Sequence, residues 1–339
     1  MIRVGLLGLG FMGRGHFDRY QQLADVQVTA IADAEPERRQ GRLLANGNID
    51  LGLKELDLAG IAVYADAQEL VERADVDVVD VCLPTHLHSR LAVAALQAGK
   101  HVLCEKPMAP SLREADAMIA AAQASGRTLM IAQCIRFWPE YTYLTRTLRE
   151  GTLGKLLSLR LTRSGTAPRW SWQGWMLDAD RSGGALLDLH IHDVDYVHSL
   201  LGKPQAILAQ GGNSGATTGY DIVSAAYQYD AVPRVSVEGA WMRAGWGFRA
   251  GYEALFEEGL LTYAGWQAPT LTLYRPGAEP ATPEDFESGD AYVNEIRYFA
   301  DCVASGQAPT RCPPQEARDS LALALKEKES IEKRALVRL

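Results

Sequence analysis

Between a strand-like apolar run at 3–7 and a helix-like run at 11–23 the chain reads Gly8-Leu9-Gly10-Phe11-Met12-Gly13. The spacing G-x-G-x-x-G is weak by itself; the strand before it and the helix after it give it force. Gly8 permits a tight turn, Gly10 lets a phosphate approach the backbone, and Gly13 lets the helix pack closely on the strand. The helix N-terminus adds free N–H groups and partial positive charge suited to an anion. A second strand-like run, 26–32, ends at Asp33, where a carboxylate can accept hydrogen bonds from ribose hydroxyls. A chain that starts this way is constrained to begin as a βαβ unit holding a dinucleotide. The residues expected at that cofactor are Gly8, Gly10, Phe11, Met12, Gly13 and Asp33. Asp33 would repel a 2′-phosphate and so favours NAD over NADP, with Arg38 and Arg39 the residues able to pair with such a phosphate.

The strand–helix alternation continues through a helical pattern at 35–44, a polar loop at 46–53, a short strand ending at Tyr64 and a helical turn at 67–73. An apolar run at 76–83 follows, then a helix at 86–98 closed by Gly99, a strand at 101–104, a helix at 112–124 and a strand at 128–132. This is the signature of a parallel sheet covered by helices. Beyond Cys134 the pattern changes to strand-like segments at 156–164, 206–210, 224–229, 234–241, 252–256, 260–263 and 270–274, broken by one helix at 184–200. A helical stretch at 314–334 closes the chain. The expected fold is α/β followed by α+β. A Rossmann fold over 1–133 precedes a large, mostly antiparallel open-sheet domain over 134–312, and a C-terminal helix and tail over 313–339 pack back on the Rossmann domain. Val235, Val237 and Gly239 alternate with Ser236 and Glu238, which leaves one sheet face uncovered. That face predicts a homodimer or homotetramer through the C-terminal sheet.

With 339 residues, the chain is long enough for two cores. A net charge of −8, with no long basic run, speaks against nucleic acid or anionic lipid as a partner. The five cysteines are odd in number and form no C-x-x-C pair, so neither a zinc ribbon nor a disulfide framework is expected. The start of the sequence runs straight into a strand rather than a signal peptide, and no segment has the apolar length of a membrane span. These features predict a reduced, cytoplasmic setting and a small-molecule substrate.

Strand C-termini of an open parallel sheet face the ligand crevice, so Lys106, just after the strand at 101–104, points toward substrate. Its ammonium can hydrogen-bond a hydroxyl and stabilise an incipient alkoxide. Asp188 and His192 are four apart on the predicted helix and share a face, joined by Asp195. An imidazole beside a carboxylate suits a base acting near neutral pH. The acids and histidines from Asp188 to His198 superficially resemble a metal cluster. His190, however, lies about 200° around the helix from Asp188, so the ligands do not converge and no metal is expected. The run from Pro168 to Trp175 is unusually aromatic. Its indoles could border a sugar ring, with Trp172 the candidate, or could pack a long loop onto the sheet.

Several stretches now combine: Pro84-Thr85-His86-Leu87-His88 after the fourth strand, Glu105-Lys106-Pro107 after the fifth, and Ser182-Gly183-Gly184-Ala185 leading into Asp188 through Asp195. With the closing stretch 323–330, they resemble the Gfo/Idh/MocA oxidoreductases over essentially the whole chain. The resemblance implies that Pro84, Thr85, His88, Glu105 and Lys106 lie at the cofactor, with Arg38 near its adenosine end, and that Lys106-Pro107 is cis. It implies Lys106, Asp188 and His192 as catalytic residues, His192 as general base, and Arg136 and Phe137 along the substrate cleft. His190 departs from the commoner pattern, which has glycine there. The implied activity is NAD-dependent hydride transfer between a secondary hydroxyl of a sugar or inositol-like polyol and the nicotinamide. Two alternatives stand beside it: glycoside cleavage by transient oxidation with tightly held NAD, and a non-catalytic dinucleotide-sensing regulator. Retention of Lys106, Asp188 and His192 argues against the regulator.

Overall fold

The computed structural model describes residues 1–43 and 47–339. The chain forms two compact units assembled from interleaved segments. The first comprises Met1–Cys134, Pro168–Met176 and Tyr292–Leu321, and the second Ile135–Ala167, Leu177–Ala291 and Ala322–Leu339.

In the first unit, β1 (Ile2–Leu7), β2 (Val26–Ala32), β3 (Ala62–Tyr64), β4 (Val78–Val81), β5 (His101–Glu105) and β6 (Leu129–Ala132) make one sheet of order β3-β2-β1-β4-β5-β6. Every neighbouring pair in it is parallel. The helices between the strands are α1 (Phe11–Tyr20), α2 (Ala67–Arg73), α3 (Thr85–Gln97) and α4 (Leu112–Ser125). All four residues of β4 are buried, as a central parallel strand requires. Strand order reverses between β1 and β4, so the carboxyl ends of these strands form the switch point at which doubly wound sheets bind ligands. Local signals place the helices. Ser111 is the N-cap of α4: its hydroxyl accepts the Glu114 N–H at 3.3 Å while donating to the Glu114 carboxylate.

The helix expected at 35–44 is reduced to a 3-10 turn, Arg38–Gln40. The Arg39 guanidinium donates back to the carbonyls of Asp33 (2.7 Å) and Ala34 (2.9 Å), and the chain leaves the turn through Gly41 in the left-handed region. Residues 44–46, part of that expectation and of the loop expected after it, lie outside the described residues.

The second unit contains α5 (Pro139–Glu150), β7 (Leu156–Thr166), α6 (Ala179–Ser182), α7 (Gly184–Asp188), α8 (Ile191–Leu201), β8 (Ala206–Gly212), β9 (Ile222–Gln228), β10 (Arg234–Met242), β11 (Arg249–Phe256), β12 (Gly259–Ala264) and β13 (Leu271–Tyr274). Then come α9 (Ala291–Ser305), α10 (Pro314–Lys333) and β14 (Val337–Arg338). The large sheet runs β13-β12-β11-β7-β10-β9-β8-β14, with β7 and β10 parallel and the other neighbours antiparallel. Along β10, Val235 and Val237 are buried while Ser236 and Glu238 on the other face are not. Leu208, Ile222 and Leu255 also occupy that other face and are exposed.

Three features differ from expectation. Helix α5 is not expected from the sequence: its three threonines and two tyrosines blur the helical pattern, while Pro139 in its first turn and burial of Tyr141 and Leu144 support the helix. Helix α9 groups with the first unit, although its core residues Tyr292, Ile296 and Phe299 follow a helical spacing readable in the sequence. The tail does not simply return to the Rossmann unit. Only the front of α10 groups there, and Val337–Arg338 pairs with β8 as the edge of the large sheet. No described helix is long and apolar enough to cross a membrane.

Candidate functional site

The glycine turn has the geometry its spacing implies. Gly8 has φ +90° and donates its N–H to the Ala32 carbonyl at 2.7 Å. A Cβ on Gly13 would lie 1.8 Å from the Gly8 carbonyl oxygen, so only glycine fits. Among the described residues, a Cβ at Gly10 would meet no atom nearer than Arg38 Nη1 at 3.9 Å, which leaves space over the turn. Asp33 is buried beside it and uses Oδ2 to accept the Leu9 N–H at 2.7 Å and Oδ1 to accept the Glu35 N–H at 2.8 Å. Arg38 Nη1 stands 3.7 Å from Asp33 Oδ2. At the next strand end, Pro84 precedes α3 and the Thr85 hydroxyl is buried without a hydrogen-bond partner. An open cradle over Gly10 and an unsatisfied hydroxyl at the neighbouring strand end fit a dinucleotide laid across the switch point. Gly10→Ala should therefore fold with near wild-type melting temperature but weaken NADH binding about 10- to 100-fold by titration. Gly13→Ala should not fold.

The aromatic run belongs to this unit. Trp170 donates its indole N–H to Asn48 Oδ1 (2.8 Å) and packs its ring 5.3 Å from Phe11, and Trp172 donates to Glu35 Oε1. Met12 is half-buried in the first turn of α1.

Lys106 follows β5, half-buried, and the Lys106-Pro107 peptide is cis. Glu105 and His88 both contact this turn. Glu105 Oε2 accepts the Lys106 N–H at 3.1 Å, and its Oε1 lies 3.3 Å from His16 Nε2. The His88 ring is buried between the carbonyls of Pro107 (2.9 Å) and Leu83 (2.7 Å). Behind Glu105 the array continues: His16 Nδ1 is 2.8 Å from Asp80 Oδ2, which also accepts the Tyr20 hydroxyl at 3.0 Å. Neither His16, Asp80 nor Glu295 is exposed, and both Glu295 carboxyl oxygens lack a hydrogen-bond partner. Burial and the neighbouring Glu105 push the Glu295 carboxyl well above the usual carboxylate range.

Burial opposes a proton on His16, but Cys82 and Asp80 outweigh it and raise its pKa well above the ordinary imidazole value. Burial and Asp80 push the Cys82 thiol up in turn, so Asp80 supplies the working counter-charge. The sign of the pH effect follows. A native pKa raised above the unfolded value of about 6.5 gives stabilisation that is complete below that pH and lost as pH rises through the native value. The melting-temperature gap between wild type and Asp80→Asn should accordingly be widest below about pH 6.5 and shrink on the alkaline side.

In the second unit the helix expected at 184–200 is broken. The Ala185 carbonyl accepts from both Leu189 N (3.0 Å) and His190 N (2.8 Å), a wide turn after which α8 restarts at Ile191. Asp188 and His192 therefore flank a one-residue register change instead of sitting one regular turn apart. Asp188 is buried and His192 half-buried. The other polar residues of this stretch are anchored. Asp193 closes a fork on Arg163 (2.8 and 2.9 Å), and Asp195 closes one on Arg136 (both 2.7 Å). Arg136, expected at the substrate, thus has Nε and Nη2 engaged by a buried carboxylate, with Phe137 buried next to it. Among the described residues, the one trio bringing possible metal-donor atoms within 4.8 Å of one another is His16, Asp80 and Cys82; these atoms contact each other, and none belongs to the acid-rich helix.

A glycine turn, an acid at the second strand end and a strand-end lysine define a dinucleotide-binding oxidoreductase. The chain belongs to the Gfo/Idh/MocA family: the oxidoreductase family with NAD-binding Rossmann fold matches residues 2–133, and the GFO/IDH/MocA C-terminal domain matches 141–262. It is 27% identical to myo-inositol 2-dehydrogenase of Thermotoga maritima, over 100% of this chain and 98% of that one. It is 32% identical to 2,7-anhydro-N-acetylneuraminate hydratase of Escherichia coli over 63% of this chain and 53% of the relative, about half of that protein's length. Levoglucosan dehydrogenase, solved in complex with NADH and levoglucosan, shares the fold with a TM-score of 0.82 at 23% identity, covering 99% of each chain. The protein is an NAD-binding oxidoreductase.

Proposed function

We propose that this protein is an NAD-dependent dehydrogenase acting on a secondary hydroxyl of a sugar or polyol of inositol type. The observation that carries this reading is the presence of Lys106 at a braced strand end together with a half-buried His192 beside Asp188, in a chain alignable end to end with a named inositol dehydrogenase. His192 takes the hydroxyl proton, the Lys106 ammonium stabilises the oxygen as negative charge builds on it, and Asp188 orients the substrate or His192. Bound NAD supplies the hydride acceptor, held over the Gly8–Gly13 turn, Asp33 and Thr85. Arg136 and Trp172, held by Asp195 and Glu35, complete the proposed substrate-binding set.

The test is a panel of inositols, aldoses and anhydrosugars with NAD, followed by NADH absorbance. A hit whose turnover collapses in both Lys106→Met and His192→Ala supports the reading; a hit indifferent to both removes it. The hydratase relative motivates a second reading, a redox-neutral reaction through transient oxidation. Product formation without net NADH would identify it, and glycoside cleavage would be scored in the same assay.

We further propose self-association through the open face of the large sheet, supported by exposed Leu208, Ile222 and Leu255 on it. A monomer mass by light scattering at micromolar concentration would remove that proposal. A reduced cytoplasmic setting is consistent with the five free cysteines.

A further inference from the structure

His190 stands between α7 and α8, and its ring is fully buried. Room for it comes from the strand beneath: a Cβ on Gly239 of β10 would lie 2.8 Å from His190 Nδ1 and 3.0 Å from its Cβ. A partner comes from α10, where Glu327, also fully buried, places Oε2 2.9 Å from His190 Nε2. The other Glu327 oxygen accepts the hydroxyl of Tyr227 on β9. The remaining charged groups facing the ring are Asp193 on α8 and Arg163 on β7, already closed on each other. Histidine, glutamate, tyrosine and a side-chain-free strand position therefore fit as a set drawn from four elements.

What this set holds is the wide turn. His190 is the residue whose N–H reaches back to the Ala185 carbonyl one place beyond helical register, and whose carbonyl accepts Asp193 N (3.1 Å) and Val194 N (3.2 Å) to start α8. Nothing in the local sequence breaks the helix here: no proline or glycine lies between Ala185 and Leu201. The register change thus draws its support from a tertiary anchor, and wide turns inside helices are frequent at functional sites.

We propose that His190, Glu327 and Tyr227 form a positioning unit that holds this turn and thereby sets the aim of His192, two residues on. The inference rests on His192 being the general base. Glu327→Gln keeps the size of the side chain and an acceptor for Tyr227 but removes the charge. Gly239→Ala crowds the ring while leaving the side-chain chemistry of His190, Glu327 and Tyr227 unchanged. In the NADH-bound enzyme, both should shift the His192 ring resonance and its titration midpoint by NMR, with NADH affinity unchanged. With a substrate from the panel, kcat should fall about 10- to 100-fold at unchanged KM, and the primary deuterium isotope effect should rise as hydride transfer becomes limiting.

Folded variants with a wild-type His192 signal and wild-type kcat would overturn the proposal, leaving the trio as mere packing. If either single variant fails to fold, His190→Gly/Glu327→Gln removes the ring and the buried carboxylate charge together, so that neither is left facing a missing partner. It should fold and show the same loss of kcat, and full activity in it would be equally fatal. His192→Ala separates this inference from the reading beneath it. If that variant is inactive while the anchor variants are normal, only the positioning unit fails. If it retains turnover while the His192 signal moves in the anchor variants, the base assignment fails and the positioning stands.

Discussion

Lys106→Met is expected to lower kcat by about 10²- to 10³-fold while leaving NADH affinity unchanged, the loss typical of removing one donor to a developing oxyanion. Methionine keeps the length and apolar stem of lysine and removes only the ammonium, so packing is preserved and charge stabilisation is not. The effect should be this large because the residue is fixed from behind. Its own N–H is held by Glu105, and Glu105 is braced by His16, itself held by Asp80. A side chain on so rigid a base needs little reorganisation when charge develops on the substrate. Lys106→Arg should not restore turnover, since a planar fork directs its donors differently from a compact ammonium. Steady-state kinetics beside NADH fluorescence titration checks both halves; turnover of Lys106→Met within about tenfold of wild type would remove the lysine from the chemistry.

Arg163→Met is expected to destabilise the second unit by about 3–5 kcal/mol, the usual loss when one partner leaves a buried pair. Arg163 and Asp193 are almost wholly buried, their fork contacts are 2.8 and 2.9 Å, and Arg163 also donates to the Tyr141 hydroxyl at 3.2 Å. The single variant leaves the Asp193 carboxylate in a dry environment with no counter-charge. Arg163→Met/Asp193→Leu should recover most of the loss, because apolar replacements of a buried pair are often neutral or better. Urea unfolding of both variants reads this directly. A single variant within about 1 kcal/mol of wild type would mean that the pair is solvated in ways its burial does not suggest.

The legible part of the molecule was the part decided by local sterics and strand polarity. The turn geometry at Gly8 and Gly13 is readable because each glycine has its own steric reason, and the place of Lys106 at a strand end because the apolar run before it marks where β5 stops. Asp80 was hidden inside what reads as an apolar strand. Its meaning depends on His16, 64 positions earlier, and no periodicity links the two. The signal that could have found it is a lone carboxylate in a buried strand, which needs a partner somewhere. The broken helix was hidden for the same reason: residues 184–200 carry helical spacing throughout, and the break is supported by Glu327 on another element. The contacts of Arg136 with Asp195 and of Trp172 with Glu35 span 59 and 137 positions, and no local pattern announces either. Helix α9 was legible and overlooked, since its apolar spacing stands in the sequence.

The interleaving of the two units bears on how the protein is made. The nucleotide-binding unit uses residues 168–176 and 292–321 as well as the first 134, so it is incomplete until nearly the whole chain has left the ribosome. During synthesis the buried Asp80–His16–Glu105 array awaits α9, which brings Glu295 and Tyr292 to this unit. A nascent chain that stalls before that point exposes an unfinished face of its Rossmann sheet. Gene fusions or truncations that sever the chain once, at any position between the two family-matched regions, would remove pieces from both units together.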